Sequence, residues 1–353
     1  MKYKVVHIVN NEKFISPFIN LINENFKDSE HLFLNIGNSD KDKFPLPKLD
    51  NVIEFELNLS APQNLFSLWK QLGPFLKSAD KIILHSAFFA NFNKYLYFNS
   101  SILAKTYWVM WGGDLYQPLI SPAKTWKQRI HSFFDNKVKA NVAGYITYIP
   151  GDYELAKQLY TAKNKYFECI MYPSNIYKEL VLPETVKNNK TILLGNSADP
   201  TNNHEKLLQK LFELENQNFN IICPLSYGNR IHADKIAKLG HSLFKDRFTA
   251  LTEFMEFNEY LTVLAKIDIA IFGHERQQAM GNTITLLGLG KKVYMRTNVT
   301  QFDFFEKLNI KVFDVDNINL SGIESNVKNE NKVIIEKYFS EKNLINQWCR
   351  VFK

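Results

Sequence analysis

The feature that most constrains this chain is a rhythm of short apolar runs set between longer stretches of helical spacing. "YKVVHIV" (3–9), "HLFLNIG" (31–37), "NVIEFEL" (51–57), "KIILHSA" (81–87), "TYWVMWG" (106–112) and "AGYITYI" (143–149) read as strands. "SPFINLINENF" (16–26) and "APQNLFSLWKQLGPFLKSA" (61–79) read as helices between them. The rhythm restarts in the second half, with strands expected at 190–196, 219–225, 267–273 and 291–297 and helices at 202–217 and 257–267. Strand and helix in alternation predict parallel sheets covered by helices, an α/β fold. At 353 residues the chain is long enough for two such domains. The charged, proline-containing stretch "YKELVLPETVKNNK" (177–190) reads as the linker. The expected layout is a first domain over 1–180, a second over 190–330, and a helical tail over 331–353 of one or two amphipathic helices, which fold analogy alone packs back on the first domain.

Composition narrows the class. With 45% hydrophobic and 22% charged residues the chain can bury two cores. Its 43 basic and 36 acidic residues, a net charge of +7, suit an anionic partner without choosing among nucleotide, lipid headgroup and nucleic acid. No recognised nucleic-acid-binding module accompanies the charge, which argues against that partner. Cys169, Cys223 and Cys349 are widely spaced and form no ligand motif, so neither a disulfide framework nor a zinc site is expected. No segment approaches the roughly 18 uninterrupted apolar residues of a membrane span. A cytoplasmic protein, free or resting on a membrane surface, is the expectation.

Three polar turns follow strands of the second half. In "TILLGNSADPTNNHEKLLQKL" (191–211), Gly195 lets a ligand approach the backbone, and Asn196 and Ser197 offer hydrogen bonds beside a helix N-terminus, an arrangement that favours phosphate. An ordinary turn in which Asp199, Thr201 or Asn202 caps the helix fits the same residues. In "IICPLSYGNR" (221–230), Pro224 ends the strand, Tyr227 is placed to stack on a base and Gly228 relaxes the turn. In "GHERQQAMGN" (273–282), Arg276 has the forked donors that suit a diphosphate, Gln277 and Gln278 suit sugar hydroxyls or a pyrimidine edge, and Gly281 and Asn282 open a helix. Three such turns on one parallel sheet open on one crevice, where open α/β sheets bind ligands.

In the first half, "WVMWGGDLYQP" (108–118) sets Asp114 behind the turn Gly112–Gly113, between Trp111 and Tyr116. A carboxylate there is a candidate general base. A helix-capping Asp114 with the tryptophans in the core is the competing reading. His85 and His7 lie at or near strand ends, where a lone histidine serves structure or catalysis. The stretch "PAKTWKQRIHSFFDNKVKAN" (122–141) carries Lys124, Lys127 and Arg129 around Trp126 and reads as a membrane-surface helix or a solvated helix face.

Two doubly wound, Rossmann-like domains facing a central cleft are the GT-B layout of glycosyltransferases, which other two-domain binders share. "WGGDLY" (111–116), "GNSADPTNNH" (195–204), "PLSYG" (224–228) and "RQQAMGN" (276–282) sharpen that analogy. In this combination and order the chain resembles the TDP-N-acetylfucosamine:lipid II N-acetylfucosaminyltransferases, the 4-alpha-L-fucosyltransferase group of glycosyltransferase family 56. The resemblance runs from about residue 80 to 300 and implies a peripheral enzyme on the inner face of the bacterial inner membrane. That enzyme would move a deoxyamino sugar from a dTDP donor to a polyprenyl-diphosphate-linked saccharide in enterobacterial common antigen assembly. The residues that match the family by position are Trp111, Gly112, Asp114, Leu115 and Tyr116; Gly195, Asn196, Ser197, Asp199, Asn202 and His204; Pro224, Tyr227 and Gly228; and Arg276, Gln277, Gln278 and Gly281. From the turns themselves, Gly195, Asn196, Ser197, Pro224, Tyr227, Gly228, Arg276, Gln277, Gln278, Gly281 and Asn282 are expected at the donor, and Trp111, Gly113, Tyr116, His85 and His204 on the acceptor or sugar side. His274 and Glu275 lie outside the family pattern, and the E-x7-E element of many retaining enzymes is missing, because Thr283 stands eight residues after Glu275.

The expected mechanism is transfer without a metal or other cofactor, with Arg276 on the diphosphate and Asp114 as base. The D-x-D pairs Asp40/Asp42 and Asp314/Asp316 fall outside the ligand turns and read as surface acids. The alternatives are a transferase of the same fold with another nucleotide sugar or acceptor, and a non-catalytic nucleotide-sugar-binding protein.

Overall fold

The computed structural model describes residues 3–27, 30–37, 42–55, 62–179, 189–214 and 218–353. Most of the linker and Asp40 lie outside the described residues. The chain divides into two compact units, Met1–Asn175 together with Glu341–Lys353, and Ile176–Ser340.

The first unit is built on seven parallel strands: β1 (Val5–Val9), β2 (His31–Asn35), β3 (Val52–Glu54), β4 (Lys81–His85), β5 (Thr106–Val109), β6 (Gly144–Thr147) and β7 (Lys165–Glu168). Their order is β3-β2-β1-β4-β5-β6-β7. The second unit has six: β8 (Lys190–Leu194), β9 (Phe219–Pro224), β10 (Phe248–Leu251), β11 (Ile269–Phe272), β12 (Lys292–Met295) and β13 (Phe313–Asp314), in the order β10-β9-β8-β11-β12-β13. Both are doubly wound, as the rhythm predicts. In each, the strand order reverses once, between β1 and β4 and between β8 and β11, and such a reversal opens a crevice at the carboxyl ends of the strands.

The central strands are apolar on both faces because helices cover both; every residue of β1, β2, β6, β11 and β12 is buried. One core gathers Val6, Leu32, Ile82, Trp108 and Tyr145, and the other Ile192, Leu208, Ile221, Ile236 and Ile271. The sequence reading omits β7, β10 and β13. "KYFE" exposes Lys165 and Glu168 at a sheet edge, "FTAL" is half-exposed, and β13 has two residues, so none carries a continuous apolar signal.

The stretch 331–353 is divided rather than continuous. The helix Ser325–Tyr338 belongs to the second unit and the helix Glu341–Phe352 to the first. The latter buries Leu344, Trp348 and Val351, and the Trp348 indole donates to the Met171 carbonyl at 2.9 Å.

Beneath that helix lies a buried chain of imidazoles. His7 Nε2 is 3.1 Å from His31 Nδ1, His7 Nδ1 is 3.1 Å from His85 Nε2, and His85 Nδ1 is 2.7 Å from the Tyr172 hydroxyl. The Trp111 indole donates to the same hydroxyl at 2.7 Å. Phe352 packs edge-on to His31 and His7, with ring centres 4.6 and 5.8 Å apart. Burial lowers all three histidines, His31 to about 4 and His85 to about 3, with the neighbouring imidazoles adding to the effect on His7.

An unfolded histidine takes up its proton near pH 6.5, whereas these stay neutral until far lower pH, so the unfolded chain binds more protons through that window. Stability of the first unit is therefore expected to fall as pH drops from about 6.5 towards 4. Urea unfolding of wild type and of a His7→Phe, His85→Phe double variant measures the effect, and the variant should show the shallower pH dependence.

Candidate functional site

In the second unit, the turns after β8, β9 and β11 converge on the β8/β11 reversal. Gly195 leaves β8 with φ +69°, and a Cβ there would stand 2.5 Å from His204 Nε2 and 3.0 Å from Asn202 Oδ1. Only glycine fits that approach. Asn202 Oδ1 accepts from the Asn196 amide at 3.1 Å, closing the turn, and Asn203 in a left-handed conformation donates to the Gly273 carbonyl at 2.9 Å. The turn after β9 is stitched on by an isolated bridge, Ala198 to Gly228, and by the Asn196 side chain donating to the Tyr227 hydroxyl at 2.9 Å.

Asp199 holds the charged part of this crevice. Its carboxylate accepts from the Thr201 amide at 2.9 Å and hydroxyl at 2.8 Å, from Arg276 Nη2 at 2.9 Å and from Gln278 Nε2 at 3.2 Å. Burial acts to raise this carboxyl, but the Thr201 donors and the Arg276 guanidinium outweigh it and hold it below the usual aspartate range. Asp199 caps the turn Pro200–Asn202, while the helix His204–Phe212 starts at Asn203 without a side-chain cap. Arg276 is thus placed where the turn reading expects it, but in an ion pair rather than as a free cation. Gln278 is buried in this network, Gln277 is half-buried beside it, and Pro224 is the buried last residue of β9. Gly281 and Asn282 lie in the first turn of the helix Met280–Gly288, and Asn282 donates to the Tyr260 hydroxyl at 2.9 Å.

Several polar atoms of the crevice are buried yet unpartnered among the described residues: Asn196 Oδ1, His204 Nε2, His274 Nε2 and Arg276 Nε. Buried polar atoms carry a cost of about 1–3 kcal/mol each when unsatisfied, so four at one strand reversal make it the candidate site of this unit. His204 Nδ1 lies 3.2 Å from His232 Nε2, and His274 stacks on Phe272. Burial lowers His204 to about 4 and His274 to about 3, which keeps both neutral at physiological pH. His274 and Glu275 part company here: the first is buried in the site, the second exposed and bonded to Asn203 at 3.2 Å. Tyr260 has no local signal in the sequence, because its partner lies 22 residues on.

The first unit requires corrections. Asp114 is fully buried and its carboxylate is saturated: Oδ2 accepts from the Ala87 amide at 2.8 Å and the Trp108 indole at 2.7 Å, and Oδ1 from the Trp111 and Leu115 amides at 2.9 and 3.0 Å. Burial pushes its pKa up, opposed by Lys139 and these donors. A sealed carboxylate with four donors does not reach a substrate hydroxyl, so Asp114 is a structural anchor and not the expected base. His85 is equally unavailable, with both ring nitrogens engaged in the imidazole chain. Tyr116 is 7% exposed and donates to Asp152 at 3.1 Å, which makes it a core residue. Trp111 is half-buried and Gly113 begins the helix Gly113–Ile120 against Phe88.

The stretch 122–141 forms the helix Trp126–Asn141, started by a Thr125/Gln128 capping box. Lys124, Trp126, Lys127 and Arg129 are all exposed, and Leu119, Ile120, Ile130 and Phe133 extend the apolar part. Asp314 accepts from the Asp316 amide and the Asn317 side chain, so that pair caps a turn. No group of three or more metal-ligating side chains is found among the described residues, and no helix there is long and apolar enough to cross a membrane.

Replacing Asp114 with Asn keeps the shape but turns an NH2 donor towards N–H donors. The expected loss is about 2–4 kcal/mol in urea unfolding; unchanged stability with lost turnover would return Asp114 to a catalytic role.

Solved structures share this fold across nearly the whole chain. A glycosyltransferase from Rickettsia africae is 14% identical, with a TM-score of 0.68 over 100% of this chain and 98% of that one. HepE from Anabaena, solved in complex with UDP and glucose, is 13% identical, with a TM-score of 0.69 over 99% of each. WaaG, a glycosyltransferase involved in lipopolysaccharide biosynthesis, is 10% identical, with a TM-score of 0.60 over 99% of this chain and 94% of that one. At these identities they establish the GT-B fold. Residues 22–353 match the family model of the 4-alpha-L-fucosyltransferases, glycosyl transferase group 56, and the chain belongs to that family of glycosyltransferases.

Proposed function

We propose that this glycosyltransferase moves an N-acetylfucosamine-type deoxyamino sugar from a dTDP-linked donor to a lipid-linked saccharide. The setting is bacterial surface polysaccharide synthesis, enterobacterial common antigen assembly in the form the family resemblance implies, at the inner face of the inner membrane. The observation that carries the reading is the cluster of unpartnered buried polar atoms around Arg276 at the β8/β11 reversal. A nucleotide sugar offers what such a crevice lacks: a diphosphate for the guanidinium and hydroxyls for Asn196, His204 and His274. HepE, of the same fold, was solved with UDP and glucose, which supports a nucleotide-sugar donor.

The chemistry follows from charge. When the glycosidic bond to the diphosphate breaks, negative charge develops on the leaving oxygen. Arg276, oriented by Asp199, and the N-terminus of the helix Met280–Gly288 supply positive potential without a metal. Tyr227, 53% exposed at the rim, is placed to stack on the base. The exposed basic and aromatic residues from Leu119 to Phe133 suit an anionic membrane carrying the acceptor.

Arg276→Ala should weaken dTDP binding at least tenfold in calorimetry, and undiminished affinity would remove the assignment. Combining Trp126→Ala with Lys124→Ala and Lys127→Ala should reduce co-sedimentation with phosphatidylglycerol vesicles several-fold while leaving dTDP affinity unchanged. Equal sedimentation of variant and wild type would exclude that helix as the membrane contact.

A further inference from the structure

The β1/β4 reversal of the first unit carries its own prepared polar group. Ser86, the first residue after β4, is a non-glycine residue at φ +76° and is fully buried. Its amide is used, donating to the Val109 carbonyl at 3.2 Å, but its hydroxyl is unpartnered among the described residues. The neighbours fix it in place. His85 is tied into the imidazole chain, and the Ala87 amide is bonded to Asp114. A left-handed serine is costly where glycine would be relaxed, and such strain persists where the surrounding structure over-determines it.

Asn10 is the matching residue after β1. The parallel register pairs Ile8 with Leu84, so Asn10 and Ser86 each follow their strand two positions beyond that pair, at the same end of the sheet. Asn10 Oδ1 is also buried and unpartnered among the described residues, and the side chain is hemmed in by Gly37, where a Cβ would stand 2.5 Å from Asn10 Cβ. An amide oxygen only accepts and a hydroxyl takes either role, so the group that satisfies both must bring a donor of its own. A fully ionised phosphate brings none. A sugar hydroxyl or an acetamido N–H does. Two residues beyond Ser86, Phe88 is 55% exposed and offers an apolar ring of the kind that covers the C–H face of a sugar.

We infer that Asn10 and Ser86 form a saccharide subsite at the β1/β4 reversal, taking a sugar hydroxyl or acetamido N–H, with Phe88 beside it. The inference rests on reading the chain as a sugar transferase. It assigns to the first unit recognition of the sugar itself, separate from recognition of the diphosphate by the second.

The test uses Ser86→Gly, which removes the hydroxyl while suiting the backbone. The variant should melt about 2 °C or more above wild type. Saturation-transfer NMR with free L-fucose and N-acetylglucosamine should give a signal with wild type that falls at least fivefold in Ser86→Gly and in Asn10→Ala. No difference between wild type and these variants overturns the subsite, whatever nucleotide binding shows. Affinity for dTDP alone should stay within twofold in Ser86→Gly, so a failure of donor binding is read separately through Arg276→Ala.

Discussion

The mouth of the first sheet depends on a carboxylate taken wholly out of water. Asp114 binds the loop after β4 through Ala87, the end of β5 through Trp108, and the turn before its own helix and that helix's first turn through Trp111 and Leu115. Without four donors the burial of that charge would be prohibitive; with them it locks three chain segments into one geometry. Ser86 can be held in a strained conformation because both its neighbours are fixed, and the Ala87 side of that restraint is this carboxylate. The second unit solves the same problem with Asp199, but differently. Asp199 is part-exposed, and one of its partners is a cation, Arg276, which the proposed function assigns to the diphosphate. One aspartate is an anchor; the other holds a guanidinium in readiness.

Under the proposed function, this difference divides the labour between the sheets. Positive potential and unpartnered imidazoles gather at the β8/β11 reversal, whereas the β1/β4 reversal presents neutral oxygens and an aromatic ring. The first combination suits a diphosphate and the second a saccharide. Both stand at the carboxyl ends of parallel strands, where two helix-covered sheets of one topology have been given different chemistry by their loops alone.

The architecture was legible because its signals are local. Continuous apolar runs such as "VVHIV" and "IAIF" identify central strands, and the glycine of "LLGNS" identifies the turn that follows β8. The edge strands were hidden for the opposite reason, since half of "KYFE" and "FTAL" faces solvent. The site was legible only in outline. Its turns could be found by composition, and Arg276 by its forked donors, but the ion pair to Asp199 joins residues 77 positions apart and leaves no local trace. Asp114 misled because an acid after a Gly-Gly turn looks the same in sequence whether it faces a crevice or four amide and indole donors. His7 and His85 looked like isolated residues for the same reason: only the packing of β1 between β2 and β4 joins them, with His31, into one chain.

The return of the helix Glu341–Phe352 to the first unit has a consequence for how the protein is made. Trp348 fills the core above the imidazoles, so that core stays open while the whole second unit is synthesised. The sheet of the first unit therefore leaves the ribosome before the second unit and is completed after it, and during translation its histidines and the face of Phe18 await Trp348 and Phe352, encoded far downstream.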